Sequence, residues 1–314
     1  MAYPMIIYGL LPIPNWSFET DAPATDPPSG WDDASVGGVN QVVSDQFHSA
    51  GSGLPSAQSV RQNVSDGTSG NLARLRARLD VSAIPAFLRG ADAPELALAV
   101  MLRAANETAS ANALLEIHQF SGAGATSAPG TGTETTGIVT RRMSYGGPEW
   151  RLRVCAVRLA AATTYVDLHL VYDPARRAYD PSADVWWDRC FAGHLLDLGR
   201  GFRRITPKVN AGFRVNEGGQ AFEIVQLRKP RTEIRVDIHK LFAGTPDYEA
   251  MASFDRWLEE TPGRLAIWQD RDKHTNAERH WQSCYRDPRY AVKYPAGRTR
   301  RNYAMKFVAP AEGH

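Results

Sequence analysis

Between Asn15 and about Ala192 the chain is a succession of short apolar segments, cut every few residues by Gly, Pro, Ser, Asn and Asp, with no amphipathic helix of convincing length. Strands a few residues long with turn signals between them are the pattern of an antiparallel sandwich. Thr164–Tyr172 is a clear instance: Tyr165, Asp167 and His169 fall on one face and Val166, Leu168 and Leu170 on the other. A period of two means that one face packs while the other meets solvent or ligand. Strands are also expected at Ser59–Val64, Leu72–Leu79, Leu96–Arg103, Ala113–Phe120, Trp150–Ala156 and Ala183–Phe191, with a long loop at Gly122–Gly137. Trp186 and Trp187 are adjacent, so in a strand they point to opposite faces and at least one fills the core.

A chain of 314 residues exceeds a single hydrophobic core, which favours two domains. Charge divides accordingly. Residues 1–193 carry 14 Lys and Arg against 19 Asp and Glu, and residues 194–314 carry 22 against 15. The halves stand at about −5 and +7, and the positive excess is spread too thinly for a nucleic-acid stripe. Three cysteines, Cys155, Cys190 and Cys284, without CxxC spacing indicate neither a disulfide framework nor a zinc site. The apolar run Met5–Leu11 has no preceding Lys or Arg and ends at Pro12, so no signal peptide is expected, and no stretch is long and apolar enough for a membrane span.

After Gly193 the texture changes to α+β. Hairpin-like segments Phe222–Leu227 and Thr232–His239 come first, then a helix opened by Thr245, Pro246 and Asp247, whose Tyr248, Met251, Phe254, Trp257 and Leu258 recur at helical spacing. A strand at Arg264–Gln269, a short helix around Asn276–Tyr285 and a last strand at Asn302–Val308 complete the reading. The fold class is therefore mainly β: a jelly-roll β-sandwich over 1–193, followed over 194–314 by a smaller α+β domain with one packed helix.

The segment Asn15-Trp-Ser-Phe-Glu19, followed by Pro28-Ser-Gly-Trp31 and closed by Asp184-Val-Trp-Trp-Asp188-Arg-Cys190, resembles the jelly-roll carbohydrate-binding modules found beside glycoside hydrolases and on phage structural proteins. The resemblance implies a first strand carrying Phe-Glu, a Trp capping the sandwich, and a structural calcium ion tied by Glu19 and Asp188. No other cofactor is implied. Calcium takes six to eight oxygen ligands, which two carboxylates and backbone carbonyls can supply; the alternative is that Glu19 and Asp188 are polar edge residues. Glycan binding would use rings that stack on sugar faces with carboxylates beside them, and Tyr145, Trp150, Tyr165, Tyr172 and Asp167 are the candidates, each equally readable as core or rim. More loosely, Asp247–Trp257, Leu265–Asp270 and Tyr303–Phe307 resemble the helix-bearing β domain of distal-tail and baseplate proteins of tailed bacteriophages.

The sequence holds no GxSxG, HExxH, GxGxxG or P-loop pattern, so no catalytic residue is assigned and the chain is expected not to be an enzyme. Glu116-Ile-His118 puts two metal-binding side chains on one strand face, but two ligands fall short of a site. The expected function is a bacteriophage virion structural protein, assembled in the host cytoplasm, with other virion proteins, further copies of itself and host-surface glycan as partners, and neither nucleic acid nor membrane. A secreted or surface glycan-binding module accessory to a hydrolase, and a glycoside hydrolase without recognisable motif, are the alternatives.

Overall fold

The computed structural model describes residues 5–48, 57–64, 70–122, 128–142, 148–176, 183–196, 202–210, 231–242, 244–260, 265–269, 280–286 and 300–309. The chain divides into two compact units, one made of Leu10–Ser49 and Ser56–Leu195, the other of Met1–Gly9, Ala50–Pro55 and Leu196–His314. Strand β1 (Met5–Tyr8) thus belongs with the C-terminal unit rather than with residues 1–193, because it pairs with a strand that begins at Leu265.

The larger unit contains β2 (Asp32–Asp33), β3 (Val39–Val43), β4 (Ser59–Asn63), β5 (Ala73–Asp80), β6 (Leu96–Ala104), a short helix α1 (Glu107–Asn112), β7 (Ala113–Ser121), β8 (Thr133–Arg142), β9 (Arg151–Val157), β10 (Thr163–Tyr172) and β11 (Val185–Leu196). They form two antiparallel sheets, β3-β4-β11-β6-β9 and β2-β5-β10-β7-β8, giving the mainly β sandwich expected from the sequence. All seven strands expected in this half are present.

The core lies between the sheets. In the second sheet Ala77, Leu168 and Ile117 form one row across three strands and Leu75, Leu170 and Leu115 the next, all at most 1% exposed. The first sheet answers with Val42, Val60, Trp187 and Leu102 in one row. Each such Leu, Ile or Val side chain stabilises the fold by about 1.5–3 kcal/mol relative to an exposed one. A buried Gln62 sits among them with every polar group used: its amide nitrogen donates to Asn40 Oδ1 at 2.7 Å and to the Leu170 carbonyl at 3.0 Å, and its oxygen accepts from Trp187 Nε1 at 2.7 Å. Burial without these bonds would cost roughly 1–3 kcal/mol, so the network fixes how the two sheets face each other.

In the smaller unit β1, β12 (Phe202–Asn210), β13 (Arg231–Phe242), β14 (Leu265–Gln269), β15 (His280–Arg286) and β16 (Arg300–Ala309) form a sheet in the order β12-β13-β16-β15-β14-β1. The helix α2 (Pro246–Glu260) starts where the sequence places it, with the Tyr248 amide donating to the Thr245 hydroxyl at 3.4 Å and Pro246 at the first helical position. Its apolar stripe, Met251, Phe254, Trp257 and Leu258, is buried, and Tyr8 packs its ring 4.9 Å from Phe254 and 5.2 Å from Trp257. Among the described residues no helix is long and apolar enough to cross a membrane.

Several local expectations are corrected. Asn15–Glu19 is a turn and not a first strand: Asn15 and Phe18 have φ of 43° and 60°, and the Asn15 side chain bonds Asp21 and the Thr20 amide instead of entering a ladder. Phe18 and Trp31 are nonetheless buried together, ring centroids 5.7 Å apart, with Trp31 Nε1 donating to the Pro14 carbonyl. The loop at Gly122–Gly137 ends early, because the β-branched run from Thr133 pairs with β7. The expected helix at Asn276–Tyr285 is a strand from His280 onward, where pairing with β14, Leu265 opposite Cys284, overrides local propensity. The hairpin strand Phe222–Leu227 lies outside the described residues.

His194, near the end of β11, is 1% exposed, and burial holds its imidazole down to about 4. The unfolded chain takes up this proton near pH 6.5 and the folded chain does not, so the contribution is intact above pH 6.5 and lost as pH falls towards 4. From this group alone, the unfolding free energy from urea titrations should fall by about 1.4 kcal/mol per pH unit in that window. His194→Gln should make the slope shallower by one proton; an unchanged slope would show that His194 is not the source.

Candidate functional site

The face of the second sheet turned away from the core is ionisable along three strands. Alternation on β5 leaves Arg74, Arg76 and Arg78 outward while Leu75, Ala77 and Leu79 are buried. Register aligns these arginines with β10 and β7: Arg76 lies opposite His169 and Glu116 beyond it, and Arg78 lies opposite Asp167 with His118 beyond it. Tyr165 and Phe120 form the next row.

Two centres organise this face. The first is an ion pair between Arg78 and Asp167, whose side chains are 3% and 0% exposed, closed by two bonds of 2.5 and 2.8 Å. Two parallel N–H···O bonds suit the planar guanidinium. A third donor, the Gly130 amide, reaches Asp167 Oδ2 at 2.7 Å, and Arg78 also donates to the Thr131 carbonyl at 2.7 Å. The guanidinium lies over Phe120 at 4.4 Å and near Tyr165 at 5.4 Å. Glycine at 130 suits the 128–131 segment, since its φ is +75° and a Cβ there would stand 2.4 Å from Arg76 Nη1 and push the end of that side chain aside.

The second centre is Glu116, His118 and His169, all at most 9% exposed, with their donor atoms within 4.8 Å of one another. His118 Nε2 is 3.2 Å from Glu116 Oε2 and its Nδ1 is 3.4 Å from Glu134 Oε1; Arg74 reaches the same Glu116 oxygen at 3.4 Å. The rings of His118 and His169 stack at 4.1 Å. Burial would raise the Glu116 carboxyl, but the His118 hydrogen bond and the charges of Arg74, His118 and Arg176 outweigh it and hold the group below its usual range. Burial, then the positive charge of His118 and the three arginines, pushes His169 down to about 2, so it is neutral. Around the two centres stand partly exposed groups: Arg74, Arg76 and the Asp32 and Glu134 carboxylates, with Arg76 bonded to Asp32 at 2.5 Å.

Of the residues singled out in the sequence, this face gathers Tyr165 and Asp167. Tyr172 is not on it. It is 0% exposed and shares the inward parity of Val166, Leu168 and Leu170, so it offers no ring to a ligand. Trp150 packs edge-on to His48, ring centroids 6.0 Å apart, while the His48 amide donates to Asp188 Oδ2 on the other sheet. Tyr145 lies outside the described residues. Glu19 accepts the amides of Ala57 and Gln58 at 2.8 and 3.0 Å. The amides of Ala57, Gln58 and His48 use one oxygen of each carboxylate, Glu19 Oε1 and Asp188 Oδ2. Among the described residues Glu19 and Asp188 enter no cluster of three liganding side chains; their observed work is to latch the chain around His48 and Gln58. The metal-type cluster missed in the sequence was half legible there, in Glu116 and His118; its third member needed the register that sets β10 beside β7.

No family model matches the chain, and no curated protein matches it. Solved structures similar in fold include the enzymatically active domain of tailspike protein 4 of bacteriophage CBA120, at 10% identity over 59% of this chain and 21% of that chain, TM-score 0.41. They also include a cyclase from Fischerella sp. TAU, at 11% identity over 60% and 96%, TM-score 0.38, and a family 16 carbohydrate-binding module, at 13% identity over 54% and 92%, TM-score 0.32. The chain thus spans about a fifth of the tailspike's length. The expectation that the chain is not an enzyme is corrected here: the structures it is similar to include two of enzymes, and the architecture gives no ground for excluding catalysis.

Arg78→Met would leave Asp167 buried, charged and without its main partner, which costs about 3–5 kcal/mol. Chemical denaturation should register that loss, and the double variant Arg78→Met with Asp167→Leu should recover most of it. Equal stability of the single variant and the native chain would mean that the pair is not buried as described.

Proposed function

We propose that this chain is a structural protein of a bacteriophage particle, and that its jelly roll meets glycan on the outer face of the second sheet. The observation that carries the reading is that face: guanidinium and carboxylate groups fixed in a flat array by register, with the half-buried ring of Tyr165 beside them and the buried Phe120 supporting Arg78. Sugars are recognised by such a combination, hydroxyls bonded by charged side chains and a ring face stacked on an aromatic. The partly exposed Arg76–Asp32 pair is already oriented, so little side-chain entropy is lost when a sugar hydroxyl joins it. The resemblance at Phe18, Trp31 and Asp184–Cys190 to modules found on phage structural proteins supports the same reading, as does the texture of the second half. Assembly into a particle fits a repeated heterologous contact between copies or with other virion proteins.

A glycan array that includes bacterial surface polysaccharides tests this. The native chain should be retained on at least one glycan, and Arg76→Ala with Tyr165→Ala should lower retention at least tenfold with little change in melting temperature. Release of reducing sugar, followed on the same glycans, separates turnover from retention. Light scattering should give a discrete oligomer. A strict monomer that no glycan retains would overturn the reading.

A further inference from the structure

We infer that Glu116, His118 and His169 form a binding site for a first-row transition-metal dication, zinc by its ligand set. The site goes beyond the glycan reading and stands or falls apart from it.

Three observations point to it. The ligand types are two imidazoles and one carboxylate, an arrangement that binds zinc with one position open. Donor atoms in a tetrahedral site with bonds of about 2.1 Å stand roughly 3.4 Å apart; His118 Nε2 to Glu116 Oε2 is 3.2 Å and His169 Nδ1 to the same oxygen is 3.9 Å. Small side-chain rotations close the rest. Second, among the described residues neither ring nitrogen of His169 has a hydrogen-bond partner, although the residue is 4% exposed. A buried neutral imidazole ordinarily places both nitrogens, and an unused lone pair beside a carboxylate is what a metal ion satisfies. Third, the surrounding shell orients the ligands: Glu134 lies 3.4 Å from His118 Nδ1 and Glu116 Oε2 3.2 Å from its Nε2, so Nδ1–H can stay on Glu134 while an ion replaces the proton between Nε2 and Glu116. Two lone pairs facing at that distance repel unless a cation lies between them, and a carboxylate behind a liganding histidine is a recurrent support of metal sites.

The charge on the face permits the ion. Asp32, Glu116, Glu134 and Asp167 balance Arg74, Arg76, Arg78 and Arg176 in number. Arg74 is the competitor, since its guanidinium already occupies Glu116 Oε2, and it is the most exposed of the three on β5, its side chain 30% exposed. A metal ion displaces it or takes the other carboxylate oxygen.

The test is calorimetric titration of the chelator-treated chain with zinc chloride, and with cobalt chloride followed by its visible absorption. One ion per chain is expected, with nitrogen-coordinated cobalt bands and a higher melting temperature. His169→Asn and Glu116→Gln should each weaken binding at least tenfold, with folding checked by near-ultraviolet circular dichroism. Arg74→Ala, which removes the guanidinium competing for Glu116 Oε2 and leaves all three proposed ligands in place, should tighten binding several-fold. No stoichiometric binding, binding indifferent to His169→Asn in a folded variant, or binding unchanged or weakened by Arg74→Ala would each overturn the assignment and leave a proton as the cation between His118 and Glu116.

Discussion

A carboxylate with no exposed surface cannot stand alone in a sandwich, and Asp167 is the charge around which the larger unit arranges one side of itself. Its partner Arg78 comes from the neighbouring strand, its third donor from Gly130, and the two rings that flank the guanidinium from β7 and β10. Each element that touches the pair is thereby fixed in register. A one-residue slip of β10 would put Asp167 into the core and Leu168 into the ionic row, so the pair and the hydrophobic rows enforce the same pairing. Buried pairs contribute little net stability compared with apolar packing, but they penalise wrong arrangements heavily.

The consequence for function is preorganisation. The two faces of one sheet carry different tasks: inward side chains close a core stitched by Gln62, and outward side chains are held in fixed positions by bonds to each other. A ligand arriving at the outer face meets groups whose orientation is already set, and the neutral His169 brings a lone pair to a place where water has little access. The proposed glycan binding and the proposed metal site share the same physical basis there, a polar array made rigid by strand register.

Much of this was legible in the sequence. The alternation in Thr164–Tyr172 gives both faces of β10 correctly, and the same parity already assigned Tyr172 to the core, against its selection as a ligand residue on aromatic character alone. Trp187 buried and Trp186 outward with Arg103 over its ring follow the expected opposition of neighbours. What was not legible was pairing between distant strands. Glu116 and His169 are 53 positions apart, and no local pattern indicates that they lie opposite each other. Local propensity misled at His280–Arg286, where a ladder partner decided the conformation, and at Asn15–Glu19, where side-chain bonds of Asn15 favour a turn over a strand.

Hydrogen exchange read by mass spectrometry, on the chain with and without a retained glycan, tests most directly that the outer face of the second sheet is the working surface. The account predicts added protection in peptides covering residues 73–80, 128–134 and 163–172. Protection confined to residues 183–196 and 96–104, on the other sheet, would contradict it.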